Sequence, residues 1–213
     1  MSEHRFMLVG GHPVLDFVNT IHDWTVPEPR DYIATVDDAL RFGGVTSLLS
    51  MFEARRLRAE VGSAELRRLR ELRARLERIF RSLVIARAPL AEDLAALARE
   101  AADAARATTL RAAPDRIERS IDPASAGGAV LRWRIAEGAI ALMTSEMLRR
   151  LKTCPSCGWF FLDTSKNSSR RWCSMATCGS TSKSHRYYWR TKAQTRVRQR
   201  SAGSRGALDT ASN

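Results

Sequence analysis

The stretch "TCPSCGWFFLDTSKNSSRRWCSMATCG", residues 153–179, holds all four cysteines of a 213-residue chain. They are spaced Cys154-x2-Cys157-x15-Cys173-x4-Cys178. A C-x-x-C pair on a tight turn brings two sulfurs onto one ion, and Pro155 and Gly158 suit such a turn. A second pair after a loop completes a tetrahedron of thiolates, the closed arrangement of one structural Zn2+. Two disulfides would need an exported protein, and the N-terminus offers no secretory core segment. A redox dithiol at "CPSC" would leave Cys173 and Cys178 unexplained. An iron–sulfur cluster would accept the same four thiolates. Zinc held by Cys154, Cys157, Cys173 and Cys178 is the favoured reading. Catalytic zinc keeps a water in place of a fourth protein ligand, so this site is expected to be structural.

Between the pairs, "WFFLD" alternates as a strand does, with Trp159 and Phe161 on one face and Phe160 on the other. A module this small needs large side chains to cover its metal, so these rings and Trp172 read mainly as core. After Cys173, "SMATCGSTSKSHRYYWRTKAQTRVRQR" reads as a helix with Cys178 near its start, where peptide dipoles favour thiolates. At about 100° per residue, Lys183, Arg186 and Arg190 share a face with Tyr187, while Lys192 and Arg196 fall opposite. His185 reads as a surface residue of this helix.

The charge is concentrated in the same place. The chain carries a net +12. From residue 152 onward there are twelve Lys and Arg against two acids, Asp163 and Asp209, while residues 1–151 hold 23 basic and 21 acidic residues. Four thiolates around one Zn2+ would lower the total only to about +10. A cationic segment with interleaved aromatics and almost no neutralising acids points to a polyanion. Lys183, Arg186 and Arg190, then Arg170 and Arg171, are the expected contacts to nucleic acid, with duplex DNA as the partner.

The preceding residues read as mostly helical. "RFMLV" resembles a short strand; "PVLDFVNTIHDW" resembles a short amphipathic helix with Pro13 in its first turn. "DDALRFGGV" reads as a helix ended by glycine and "VTSLLSMFEARRLRAEV" as one helix. Next comes a long helix capped by Ser63, with Leu66, Leu69, Leu72, Leu76, Ile79, Phe80 and Leu83 on one side. An Ala-rich helix follows Pro89 and runs to about Arg106. "VLRWRI" alternates apolar and basic residues and is expected to be a strand pairing with the N-terminal one. A last helix spans roughly 137–152. The fold class is therefore mainly α (α+β): a helical domain over 1–150 with a small β element, the cysteine module and basic helix over 151–200, and a disordered tail over 201–213.

His4, His12, His22, Asp16 and Asp23 crowd the first residues, but His12 beside a Gly-Gly turn and His22 at a helix end suit capping and surface roles better than a second metal. The Gly-Gly pairs lack the pattern of a phosphate loop, and no Ser/His/Asp or Cys/His set stands out. No apolar run approaches the roughly 20 residues of a membrane span. A cytoplasmic, non-enzymatic protein is expected.

The module "CGWFFLDTSKNSSRRWCSMATCG" resembles the C-terminal zinc finger of the bacterial CGNR family, and the likeness takes in both cysteine pairs, "FLDTS" and "RRWCSMATC". Members of that family carry a preceding helical domain known as ABATE, whose opening "LDFVNT", residues 15–20, resembles. The resemblance implies a transcription regulator described as stress-induced, with a zinc finger that binds DNA and with the four cysteines as ligands. One departure is visible: where the family name spells Cys-Gly-Asn-Arg, this chain has Cys178-Gly179-Ser180-Thr181. A phosphate or base contact made by that Arg is lost. The helical domain would sense an unknown small-molecule effector or form a homodimer. A zinc-structured protein-interaction module, or an enzyme acting on RNA or a small substrate, are the alternatives.

Overall fold

The computed structural model describes residues 6–23, 26–121 and 126–181. The chain divides into two compact units, residues 1–173 and 174–213. The first unit is built around α1 (Pro13–Val18). His12 caps this helix, its Nδ1 accepting from the Val14 N–H at 3.2 Å, and Pro13 fills the first turn. Leu15, Phe17 and Val18 of α1 are fully buried. The capping role suited to His12 is thus the one it has. His4 lies outside the described residues.

Two short helices follow, each opened by a capping box. Thr35 and Asp38 start α2 (Val36–Val45), and Ser50 and Glu53 start α3 (Met51–Glu60). The helix expected across residues 45–61 therefore starts only at Met51, after a turn over residues 46–50. Ser47 takes a left-handed conformation (φ 58°) and Leu49 turns into the core, so the chain must break there before Ser50 restarts it. The glycine pair that was expected to end α2 lies inside it. The long helix α4 (Ser63–Val84) buries Leu69, Leu72, Leu76, Ile79 and Phe80, as its periodicity predicts, although Gly62 rather than Ser63 occupies the capping position. The Ala-rich α5 (Ala91–Arg106) packs along it, its buried Asp93 gripped by Arg75 and Arg78 of α4.

Strands β1 (Thr108–Ala112) and β2 (Ile117–Ile121) form an antiparallel hairpin, with Leu110 opposite Arg119. Next comes α6 (Val130–Met143). This corrects the strand expected at "VLRWRI". The alternation was produced by two arginines that are not on a solvent face. Arg132 is buried against Glu65 and Glu100, and Arg134 is held by Glu53 and the Leu48 carbonyl. With those charges answered by carboxylates, α6 buries apolar residues along its whole length, including Leu131, Ile135, Ala139 and Leu142. Nor do residues 6–9 form a strand; instead Phe6 sets its ring edge-on to Phe42 at 5.4 Å. The expected last helix over 137–152 ends at Met143, and a single 3-10 turn (Glu146–Arg150) leads into β3 (Leu151–Thr153).

Candidate metal centre

β3 pairs antiparallel with β4 (Phe160–Leu162), matching Leu151 to Leu162 and Thr153 to Phe160. Between them lies the first cysteine pair. The Cys154 N–H donates to the Trp159 carbonyl at 2.8 Å and the Gly158 N–H to the Cys154 carbonyl at 2.9 Å, which closes a tight knuckle. Gly158 sits at φ 74°, a left-handed position that favours glycine. The strand expected at "WFFLD" is present, but Trp159, Phe160, Phe161 and Leu162 are all buried, so neither face is left to solvent.

The anchors of β4 come from α1 and the residues just after it. The Asn19 carboxamide donates to the Phe160 carbonyl (2.8 Å) and accepts from the Phe160 N–H (2.9 Å). Trp159 Nε1 donates to the Ile21 carbonyl at 2.6 Å, and the Leu162 N–H to the Gly10 carbonyl at 2.9 Å. Asp16 accepts from the Gly10 N–H at 2.7 Å, while Thr20 accepts from buried Arg73, itself paired with Asp31. From α4, Phe80 packs on Phe160 and the Arg81 guanidinium lies 4.7 Å over the Phe160 ring. "LDFVNT" and "WFFLD", the two strings that carried the family likeness, are thus in direct contact.

The loop from β4 to the second cysteine pair is organised by Asp163, a fully buried carboxylate. It accepts from Lys152 Nζ (2.6 Å), the Ser165 hydroxyl (2.6 Å) and N–H (3.0 Å), and the Arg170 N–H (2.9 Å). Burial alone would raise this carboxyl, but those donors outweigh it and hold it well below the ordinary carboxylate range. Arg150 ties the same loop through the Ser165 carbonyl and the Ser168 hydroxyl. Arg170 then braces the next turn. Its guanidinium donates to the Trp172 carbonyl at 2.9 Å and to the Cys173 carbonyl, and lies 4.7 Å over the Phe161 ring. Arg171 is exposed, 5.2 Å over the ring of Trp172. Sequence reasoning missed Asn19, Lys152 and Asp163 as supports of the site; Asn19 and Asp163 lie within the two family-like strings, whereas Lys152 precedes the second and carried no such signal.

In the second unit, Ser174 caps a single π-helical turn, Met175–Gly179, closed by a Gly179 N–H to Ser174 carbonyl bond at 3.0 Å. This turn carries Cys178. Ser180 and Thr181 direct their hydroxyls back to the Ala176 and Thr177 carbonyls at 2.6 and 3.1 Å. Lys183, Arg186 and Arg190, with most of the expected basic helix and tail, lie outside the described residues.

The sulfurs of Cys154, Cys157, Cys173 and Cys178 all lie within 4.8 Å of one another. Cys157 and Cys173 are 3.6 Å apart, far beyond the roughly 2.05 Å of a disulfide. A tetrahedron with Zn–S bonds of about 2.3 Å has edges of roughly 3.8 Å, so the spacing fits the ion. The Cys154 thiol is held far below its ordinary value, chiefly by hydrogen bonds from the Cys157 and Cys173 sulfhydryls, and the same contacts push Cys157 up. Crowded thiols share one proton deficit in this way; a dication among them lets all four ionise. Four thiolates fill a tetrahedral shell and leave no place for a reactive water.

A helical domain with a four-cysteine knuckle bonded into it defines a zinc-finger protein with one structural Zn2+. The chain belongs to the ABATE family, described as "putative stress-induced transcription regulator", which it matches over residues 11–146, and residues 150–191 match the CGNR zinc finger. Comparison with curated proteins finds no match. Among the described residues no helix is long and apolar enough to cross a membrane.

Proposed function

We propose that this protein is a DNA-binding transcription regulator whose zinc knuckle fixes the root of a cationic segment that grips duplex phosphates. The observation that carries the reading is the concentration of charge: twelve Lys and Arg against two acids from residue 152 onward. Lys152 and Asp163 pair with one another, which leaves eleven cations against one acid. Exposed Arg171, with Lys183, Arg186 and Arg190, supplies the phosphate contacts. Arg170 acts mainly by holding the knuckle, because its donors are engaged by the Trp172 and Cys173 carbonyls. Ser180 and Thr181, whose hydroxyls are returned to their own backbone, add no cationic contact where the family motif has Asn-Arg.

Fluorescence anisotropy with a random-sequence duplex, titrated with salt, tests this. Each of Arg171→Ala, Lys183→Ala, Arg186→Ala and Arg190→Ala should weaken binding evenly across sequences and reduce the log–log salt slope by about 0.9. Thr181→Arg should tighten binding and steepen the slope by a similar step. Slopes unchanged in the fourfold Ala variant would remove the assigned surface. Tighter binding to duplex RNA or single strands than to duplex DNA would reassign the polymer.

A further inference from the structure

α2 and α3 enclose an open groove of about 550 Å3, within the range of about 300–1,000 Å3 usual for small-molecule sites. Leu40, Val45, Leu49 and Met51 supply its apolar lining. Met51 is 89% exposed and Val45 51%, so both offer apolar surface to the groove. The rim is cationic. Arg58 is committed to Asp37 by paired bonds of 2.6 and 2.9 Å, and Arg41 lies 3.8 Å from Asp38. Arg55 has no ion-pair or hydrogen-bond partner among the described residues.

One backbone position adds an independent pointer. Of the two helical glycines in α2, Gly43 is required by packing, since a Cβ there would lie 2.6 Å from Leu49 Cδ1. Gly44 is not: a Cβ there would meet nothing within 4 Å, its φ is ordinary, and it lines the groove. A glycine inside a helix is destabilising relative to alanine. Neither close packing nor a left-handed backbone accounts for this one, and its effect is to leave the groove wall open.

We infer that the α2–α3 groove binds an amphiphilic carboxylate, its aliphatic or aryl body against the apolar lining of Leu40, Val45 and Met51 and its carboxylate on the Arg55 guanidinium. Apolar area supplies the affinity, and a planar fork of donors at one end selects the acid over an alcohol or amine. The site uses neither the cysteines nor the cationic segment, so it stands or falls separately from the DNA-binding reading.

Isothermal titration of the full zinc-loaded chain with decanoate, decanol and acetate tests it. Decanoate should saturate one site, with decanol and acetate at least tenfold weaker. Gly44→Phe, which fills the groove from open space, and Arg55→Gln, which removes the unengaged cation, should each weaken decanoate at least tenfold. Gly44→Ala should keep both fold and binding. Decanol binding as tightly as decanoate, or affinity unchanged in Gly44→Phe and Arg55→Gln alike, overturns the proposal. So does a dimer by light scattering that Gly44→Phe dissociates and decanoate does not, which would make a second copy the occupant.

Discussion

At Asn19 one carboxamide satisfies both backbone groups of Phe160, a residue 141 positions away in sequence. Only a side chain with a donor and an acceptor on one planar end can do this. Asn19→Ala would leave a buried N–H and a buried carbonyl unmet, at about 1–3 kcal/mol each when no water enters. Urea unfolding should therefore show a loss of about 2–6 kcal/mol. Asn19→Asp should fare no better, because a carboxylate repels the carbonyl it replaces a donor for. Asp16, three residues earlier, gives a different test. Burial raises its carboxyl from 3.8 to about 6, against the lowering effect of the Gly10 and Val9 N–H groups. An acid whose folded value is raised stabilises the fold below its unfolded value, and loses that contribution as pH rises through the folded value. Wild-type stability relative to Asp16→Asn should thus fall between pH 4 and pH 7, and the amide oxygen can still accept from Gly10. A difference in Tm that is flat over that window would show the carboxyl to be solvated.

Among the elements, α3 shows how a cap and a tertiary pair can share one carboxylate. Glu53 closes the capping box with Ser50 and also takes the Arg134 guanidinium of α6 at 2.6 and 3.1 Å. Its carboxyl is lowered from 4.5 to about 2, first by the Arg134 bond. For a lowered acid the stabilisation is present above the unfolded value and is lost as pH falls through the folded one. The Tm gap between wild type and Glu53→Gln should accordingly close as pH drops from 5 toward 2.5. Ser50→Ala should cost about 1 kcal/mol at neutral pH. The same residues explain what could be read in advance. The α4 stripe from Leu69 to Phe80 was legible because its apolar period stands out, even though Arg73 of the same helix is buried against Asp31. α6 was not, since Arg132 and Arg134 are interior partners of Glu65 and Glu53, and a pattern based on polarity counts every arginine as exposed. The break at Ser47–Leu49 depended on one left-handed residue, which serine does not announce. Of the metal centre, the four cysteines were legible from spacing alone. Asn19, Lys152 and Asp163 were not, because their bonds join segments that only the fold brings together.

Over the first unit as a whole, the knuckle is bonded into the helical domain. β4 is held by Asn19, Ile21 and Gly10, and Phe160 lies between Phe80 and the Arg81 guanidinium. A finger tethered by a linker would lose its own structure on chelation and leave the helices unaffected. Here the metal's binding free energy is linked to folding of the core that grips β4. Removing Zn2+, or replacing Cys154 by Ser, should lower the Tm followed by helical circular dichroism by roughly 10 °C or more, given 2–4 °C per kcal/mol for a chain of this size. Native mass spectrometry should show one Zn2+ lost over the same chelator range. The coupling also has a direction: Asn19→Ala, which touches no cysteine, should weaken zinc retention in a competition with a chromophoric chelator. A helical transition that ignored chelation, alongside zinc affinity that ignored Asn19→Ala, would mean that the bonds across Phe160 transmit no free energy between the metal and the helices.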